Sequence, residues 1–111
     1  MNPDETEAER AEIAALWDDA QARIRARMAA IDAAVAAMGD DDLADEDRAL
    51  AGGEAHKLAG SLGTFGVPEG SRVARDLEQI LTEDGADADA ARARALAAEL
   101  RDAVDAGPQP G

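Results

Sequence analysis

The chain has 111 residues and a formal charge of −14, from 25 acidic and 11 basic side chains; that length supports one domain, and that charge disfavours nucleic acid and anionic membrane surfaces as partners. Its 29 alanines stand against one Phe, one Trp and no Tyr, a usage that argues for helices around a thin core and against a β-sandwich or barrel. The lack of cysteine excludes a disulfide framework, a thiolate metal site and a cysteine nucleophile, and no apolar run reaches the length of a membrane span, so the sequence reads as a soluble cytoplasmic protein.

Residues 1–10 are polar and are read as a frayed segment. From Ile13 the apolar positions run Ile13, Trp17, Ala20, Ile24, Met28, Ile31, Val35 and Met38, in steps of 4, 3, 4, 4, 3, 4 and 3. That is the stripe of an amphipathic helix, extended at its N-terminal end and closed by Gly39 as a C′ residue. The connector GDDDLA (39–44) reads as a solvated loop that supplies an N-cap. Its trio Asp40, Asp41 and Asp42 lacks the spacing and distal Glu of a calcium loop. A second helix from about Asp45 to Thr64 carries Leu50, Ala51, Ala55, Leu58, Leu62 and Phe65, and Gly66 breaks it. Pro68 suits the first turn of a third helix, which carries Val73, Leu77, Ile80 and Leu81 and ends near Gly85. Asp87 or Asp89 caps a fourth helix with Ala93, Leu96, Leu100 and Val104, closed by Gly107 and Pro108. The expected fold is all-α, an antiparallel up-down four-helix bundle over 11–106 with an extended N-terminal helix and a disordered tail at 107–111. The rival reading of the first helix, as a coiled-coil strand, is met by matching stripes on the other three helices.

On a helical wheel with Leu58 at 0°, Ala51, Ala55, Leu62 and Phe65 lie within about 60° of it, whereas His56 lies at about 160°, facing solvent or a partner. The residues around His56 on that surface are Gly52, Gly53, Ala59, Gly60 and Gly63. The single histidine of the chain thus stands on a stretch of helix with almost no side chains. Gly53, Gly60 and Gly63 together cost about 2–3 kcal/mol of helix propensity, out of a total stability of about 5–15 kcal/mol. In a chain so rich in alanine, that expense fits close approach of another macromolecule, and the five residues are read as its docking face. With no second His or Cys for a metal, no nucleophilic-serine context at Ser61 or Ser71 and no nucleotide-binding loop, the chemistry open to this imidazole is nucleophilic. It can take a phosphoryl group from a donor that brings its own metal.

The stretch 55–66, AHKLAGSLGTFG, resembles the signature of histidine-containing phosphotransfer (HPt) domains, through His56, Leu58, Gly60, Ser61, Phe65 and Gly66. The continuation PEGSRVARDLE resembles the helix that follows in that family. The resemblance implies that His56 is phosphorylated, accepting from a receiver aspartyl phosphate or a kinase and passing the group to a receiver aspartate. It implies a monomeric, stoichiometric carrier without ATP binding or cofactor of its own, magnesium being held by the partner. The partners it implies are a response-regulator receiver domain and/or a hybrid histidine kinase. Many family members carry Lys three residues after the His, where this chain has Ala59; Lys57 is then the candidate to stabilise the phosphoryl group. Glu78 corresponds to the third-helix position facing the histidine, and it either orients the imidazole or stands solvated on an acidic surface. Arg72 and Arg75 either assist a phosphoryl group or partner or are simply solvated. The alternative function is a helical adaptor that binds through the same glycine-rich face without phosphorylation.

Overall fold

The computed structural model describes residues 3–82 and 89–108, with side chains from Glu7 onward. Over those residues the chain forms four helices and no strand: α1 (Pro3–Gly39), α2 (Asp45–Thr64), α3 (Pro68–Thr82) and α4 (Ala90–Ala106). Contacts across the helices fix the predicted antiparallel, up-down order. Arg27 of α1 meets Glu54 of α2 at 2.7 Å, and Arg25 and Asp32 of α1 pair with Asp105 and Arg101 of α4 at 2.7 and 3.0 Å. Each helix has two neighbours, α2 and α4 for both α1 and α3. The bundle measures 55 × 20 × 17 Å.

The stripes read from the sequence form the core from Trp17 to Val35 in α1, and at Ala51, Ala55, Leu58 and Leu62 in α2. Val73, Leu77, Ile80 and Leu81 of α3 and Ala93, Leu96, Leu100 and Val104 of α4 complete it. The large side chains sealed from water are Leu, Ile and Val, each contributing on the order of 1.5–3 kcal/mol of burial. The single Trp and single Phe meet edge to face, with Trp17 and Phe65 ring centroids 5.5 Å apart.

The helix ends follow local chemistry. After Phe65, Gly66 turns to φ +81°; its N–H donates to the Gly63 carbonyl, and the Val67 N–H donates to that of Leu62. This is the paired bonding of a Schellman cap, for which the left-handed residue is best a glycine. Pro68 then opens α3, Gly107 (φ +75°) closes α4, and the Asp89 carboxylate caps α4 by accepting from the Arg92 N–H at 3.0 Å.

Several boundaries differ from expectation. The left-handed residue that ends α1 is Asp41 (φ +56°), not Gly39, which is still helical. Asp41 and Asp42 donate their N–H groups to the carbonyls of Met38 and Ala37, the same Schellman pattern two residues later. The N-cap of α2 is Ala44, with no side-chain bond, so the acidic loop supplies no cap. The acids Asp45, Glu46 and Asp47 instead favour the positive helix end from within the first turn. Helical backbone runs on from Pro3 through the segment read as frayed. Ile13 and Leu50, placed on core stripes, are 46% and 64% exposed. Trp17 packs beside Phe65 and Gly107 at the ends of α2 and α4, so Ile13 lies one turn beyond any neighbouring helix. Leu50 rims a shallow groove against Ala30, Ala33 and Ala37, whose methyls are too short to cover it. The expected α3 end near Gly85, the alternative cap Asp87 and residues 109–111 lie outside the described residues.

Candidate functional site

His56 sits mid-way along the outer face of α2. The alternation of core and solvent residues makes this position point outward: Ala55 and Leu58 on either side are fully buried, while the His56 side chain is 74% exposed. Its Nδ1 lies 2.9 Å from Oε1 of Glu78, a half-buried carboxylate on α3. An ionised carboxylate only accepts hydrogen bonds, so Nδ1 carries the proton and donates it. The lone pair of the neutral ring is then on Nε2, which faces away from Glu78.

The helix surface next to Nε2 is bare. A Cβ placed at Gly53 or Gly60 would meet nothing within 4 Å, and one at Gly63 would meet only the Ser71 hydroxyl, at 3.5 Å. Gly53, Gly60 and Gly63 are all solvent-facing. Their absent side chains are therefore not explained by packing inside the bundle. An exposed imidazole with one nitrogen tied to a carboxylate, on a surface of open backbone, matches the arrangement expected of a phosphoryl-accepting histidine. The Hpt domain family model matches residues 5–107 of the chain.

The chain belongs to the Hpt domain family. No match was found among curated proteins or among solved structures. Membership of the Hpt family gives the chain a phosphotransfer role in two-component signalling, as a carrier working with receiver domains and histidine kinases. No helix among the described residues is long and apolar enough to cross a membrane.

Within this Hpt domain two of the five residues read as docking face belong elsewhere. Ala59 is buried, 5% exposed, and its carbonyl accepts the Ser71 hydroxyl of α3 at 2.8 Å. Gly52 is buried as well, and a Cβ there would lie 3.3 Å from Thr82 Cγ2. Both residues stand on the flank of α2 that α3 covers, about 40–60° round the helix from His56. Gly52 is a packing glycine that admits α3. Lys57 lies on the opposite flank, where its Nζ is 3.9 Å from Glu54, the carboxylate that also binds Arg27. Arg72 is held between Asp76 at 3.1 Å and Glu69. Its hydrogen bond and charge hold the Glu69 carboxyl below the ordinary range, and Glu69 in turn raises the guanidinium. Among the described residues no group of three His, Cys, Asp or Glu gathers to hold a metal ion, the aspartate trio 40–42 included.

Proposed function

We infer that His56 is the phosphoryl acceptor and donor of this Hpt domain, exchanging the group with the aspartate of a receiver domain. The observation that carries this reading is the His56–Glu78 pair beside the bare backbone of Gly53, Gly60 and Gly63. In the forward step the Nε2 lone pair attacks phosphorus of the aspartyl phosphate. The N–P bond forms, the P–O bond breaks, and its electron pair leaves with the aspartate carboxylate. The Nδ1 proton stays on the ring, so the phosphorylated imidazole is cationic, and the Glu78 carboxylate beside it offsets that charge. A cationic ring is a good leaving group, which suits a carrier that must give up what it takes. The receiver supplies the metal ion and the activated carboxyl, and the Hpt chain supplies the nucleophile and an unobstructed path to it. It binds no ATP and needs no cofactor of its own, and it works as a monomer in the cytoplasm.

The test is incubation with a receiver domain phosphorylated beforehand by a small donor. Wild-type protein should acquire phosphate that is acid-labile and alkali-stable, and His56→Gln should acquire none while melting within a degree or two of wild type. Label retained by His56→Gln would remove His56 from the reaction. Receiver binding with the label left on the receiver and none on the Hpt chain would support the adaptor function instead.

A further inference from the structure

Once phosphorylated, His56 carries a phosphoryl group with about two negative charges on a cationic ring, a net gain of about one negative charge in a chain whose net charge is already −14, within reach of the Glu78 carboxylate. Transferred phosphoryl groups are ordinarily met by a cation. On this face the nearby cations differ in availability. Lys57 leans toward Glu54 on the α1 side, and Arg72 is bound by two carboxylates. Arg75 is exposed and makes no hydrogen bond or ion pair with any described residue.

The register between α2 and α3 locates Arg75. Ser71 bonds the Ala59 carbonyl and lies against Gly63, Glu78 bonds His56, and Thr82 lies against Gly52. Four residues forward along α3 thus correspond to about four residues back along α2. Arg75, between Ser71 and Glu78, is level with Ala59 and Gly60, one helical turn or about 5.4 Å beyond His56. On the α3 wheel it stands about 60° further outward than Glu78, at the lip of the α2–α3 junction. At that level α2 presents the buried methyl of Ala59 and, further round, Gly60, where even a Cβ would meet nothing within 4 Å.

We propose that Arg75 binds the phosphoryl group carried by His56, reaching it from α3 across the α2 surface at the level of Ala59 and Gly60. This rests on His56 being the acceptor. The group would arrive by the transfer already described, with Arg75 neither donating nor accepting a proton. Its planar guanidinium presents paired N–H donors to two phosphoryl oxygens and favours the phosphorylated state over the free one. For an exposed charge-assisted contact, that amounts to about three- to tenfold in the transfer equilibrium.

The experiment phosphorylates the full chain with phosphoramidate, whose leaving group is ammonia, so that no receiver is present. The phosphoryl resonance is then titrated by phosphorus NMR in wild type, Arg75→Gln, Arg75→Lys and Arg72→Gln. In a second arm the label is allowed to equilibrate between each variant and a receiver domain. Arg75→Gln should raise the titration midpoint of the phosphoryl group and shift label about three- to tenfold toward the receiver. Arg75→Lys should fall between it and wild type, and Arg72→Gln should match wild type. If the wild type takes no phosphate on His56, the acceptor assignment itself fails. If it is phosphorylated and Arg75→Gln titrates and partitions as wild type does, Arg75 does not touch the group. Equal shifts in Arg72→Gln and Arg75→Gln would show a general charge effect and overturn the assignment to Arg75.

Discussion

Replacing Gly60 tests whether the bare face is kept bare for a partner. A methyl at Gly60 meets nothing within 4 Å, and the same holds at Gly53. Both residues lie inside α2, where glycine costs about 0.5–1 kcal/mol relative to alanine. Gly60→Ala alone should therefore stabilise the isolated domain by about 0.5–1 kcal/mol. The two sites are two turns apart and share no contacts, so Gly53→Ala with Gly60→Ala should give about 1–2 kcal/mol and raise the melting temperature by about 4–8 °C. Gly70→Ala provides the contrast: its methyl would lie 3.0 Å from Leu62 Cδ1 and 3.1 Å from Val67 Cγ1, and the overpacking should cost about 1–3 kcal/mol. Urea unfolding followed by helix circular dichroism and by Trp17 fluorescence measures all of these. Gly60→Leu joins stability to function. Its side chain enters solvent, so the variant should fold as well as wild type, yet transfer from a receiver should fall by at least tenfold as the docked surface is obstructed. Unfolding of Gly60→Leu would mean that the outer face of α2 is packed, against the geometry. Folding with wild-type transfer would mean that the receiver does not approach over Gly60.

Glu78→Ala should slow phosphoryl acceptance while leaving receiver binding intact, and nitrogen NMR should show the His56 tautomers redistributed toward the Nε2–H form; unchanged tautomers would disconnect Glu78 from the ring. Asp41 holds a left-handed conformation that costs a non-glycine residue on the order of 1 kcal/mol, so Asp41→Gly should stabilise the domain by about 0.5–1 kcal/mol in urea titrations, and a loss of stability would argue against that cap. Trp17→Ala removes a buried aromatic and its contact with Phe65 and should cost about 3–5 kcal/mol, read by calorimetry; a cost below 1 kcal/mol would mean that this end of the bundle is not packed as described.

The helices were legible because their signals are local. The 3–4 spacing of apolar residues gave the stripes, Gly66 with Pro68 marked the α2–α3 turn, and Gly107 marked the end of α4. The outward direction of His56 followed from its offset to Leu58 on the same helix. What escaped the sequence depends on neighbours. A wheel drawn around one core direction treats α2 as packed on one side. In the bundle α2 touches both α1 and α3, and the wider buried arc takes in Gly52 and Ala59. Ile13 continues a good stripe past the point where α2 and α4 end, which no periodicity reveals. Gly39 carried the usual helix-stop signal, yet the chain runs on to a left-handed Asp41, and Gly39 packs against the Arg94 side chain of α4 instead. The partner of Nδ1 came only from resemblance to a family, since His56 and Glu78 are 22 residues apart and nothing in their spacing joins them.

The Trp and Phe rings of the chain lie together where α1 passes the end of α2, and the opposite end of the bundle is packed with aliphatic side chains and Met38. Resistance to local opening should therefore be graded along the rod. Amide protons near Trp17 and Leu62 should exchange more slowly than those around Met38 and the start of α2, as hydrogen exchange would show. His56, about two and a half turns from Phe65, sits mid-way between the two ends. A carrier that meets successive partners can thus loosen at the α1–α2 connector without disturbing the imidazole, the carboxylate that orients it or the backbone over which the partner docks.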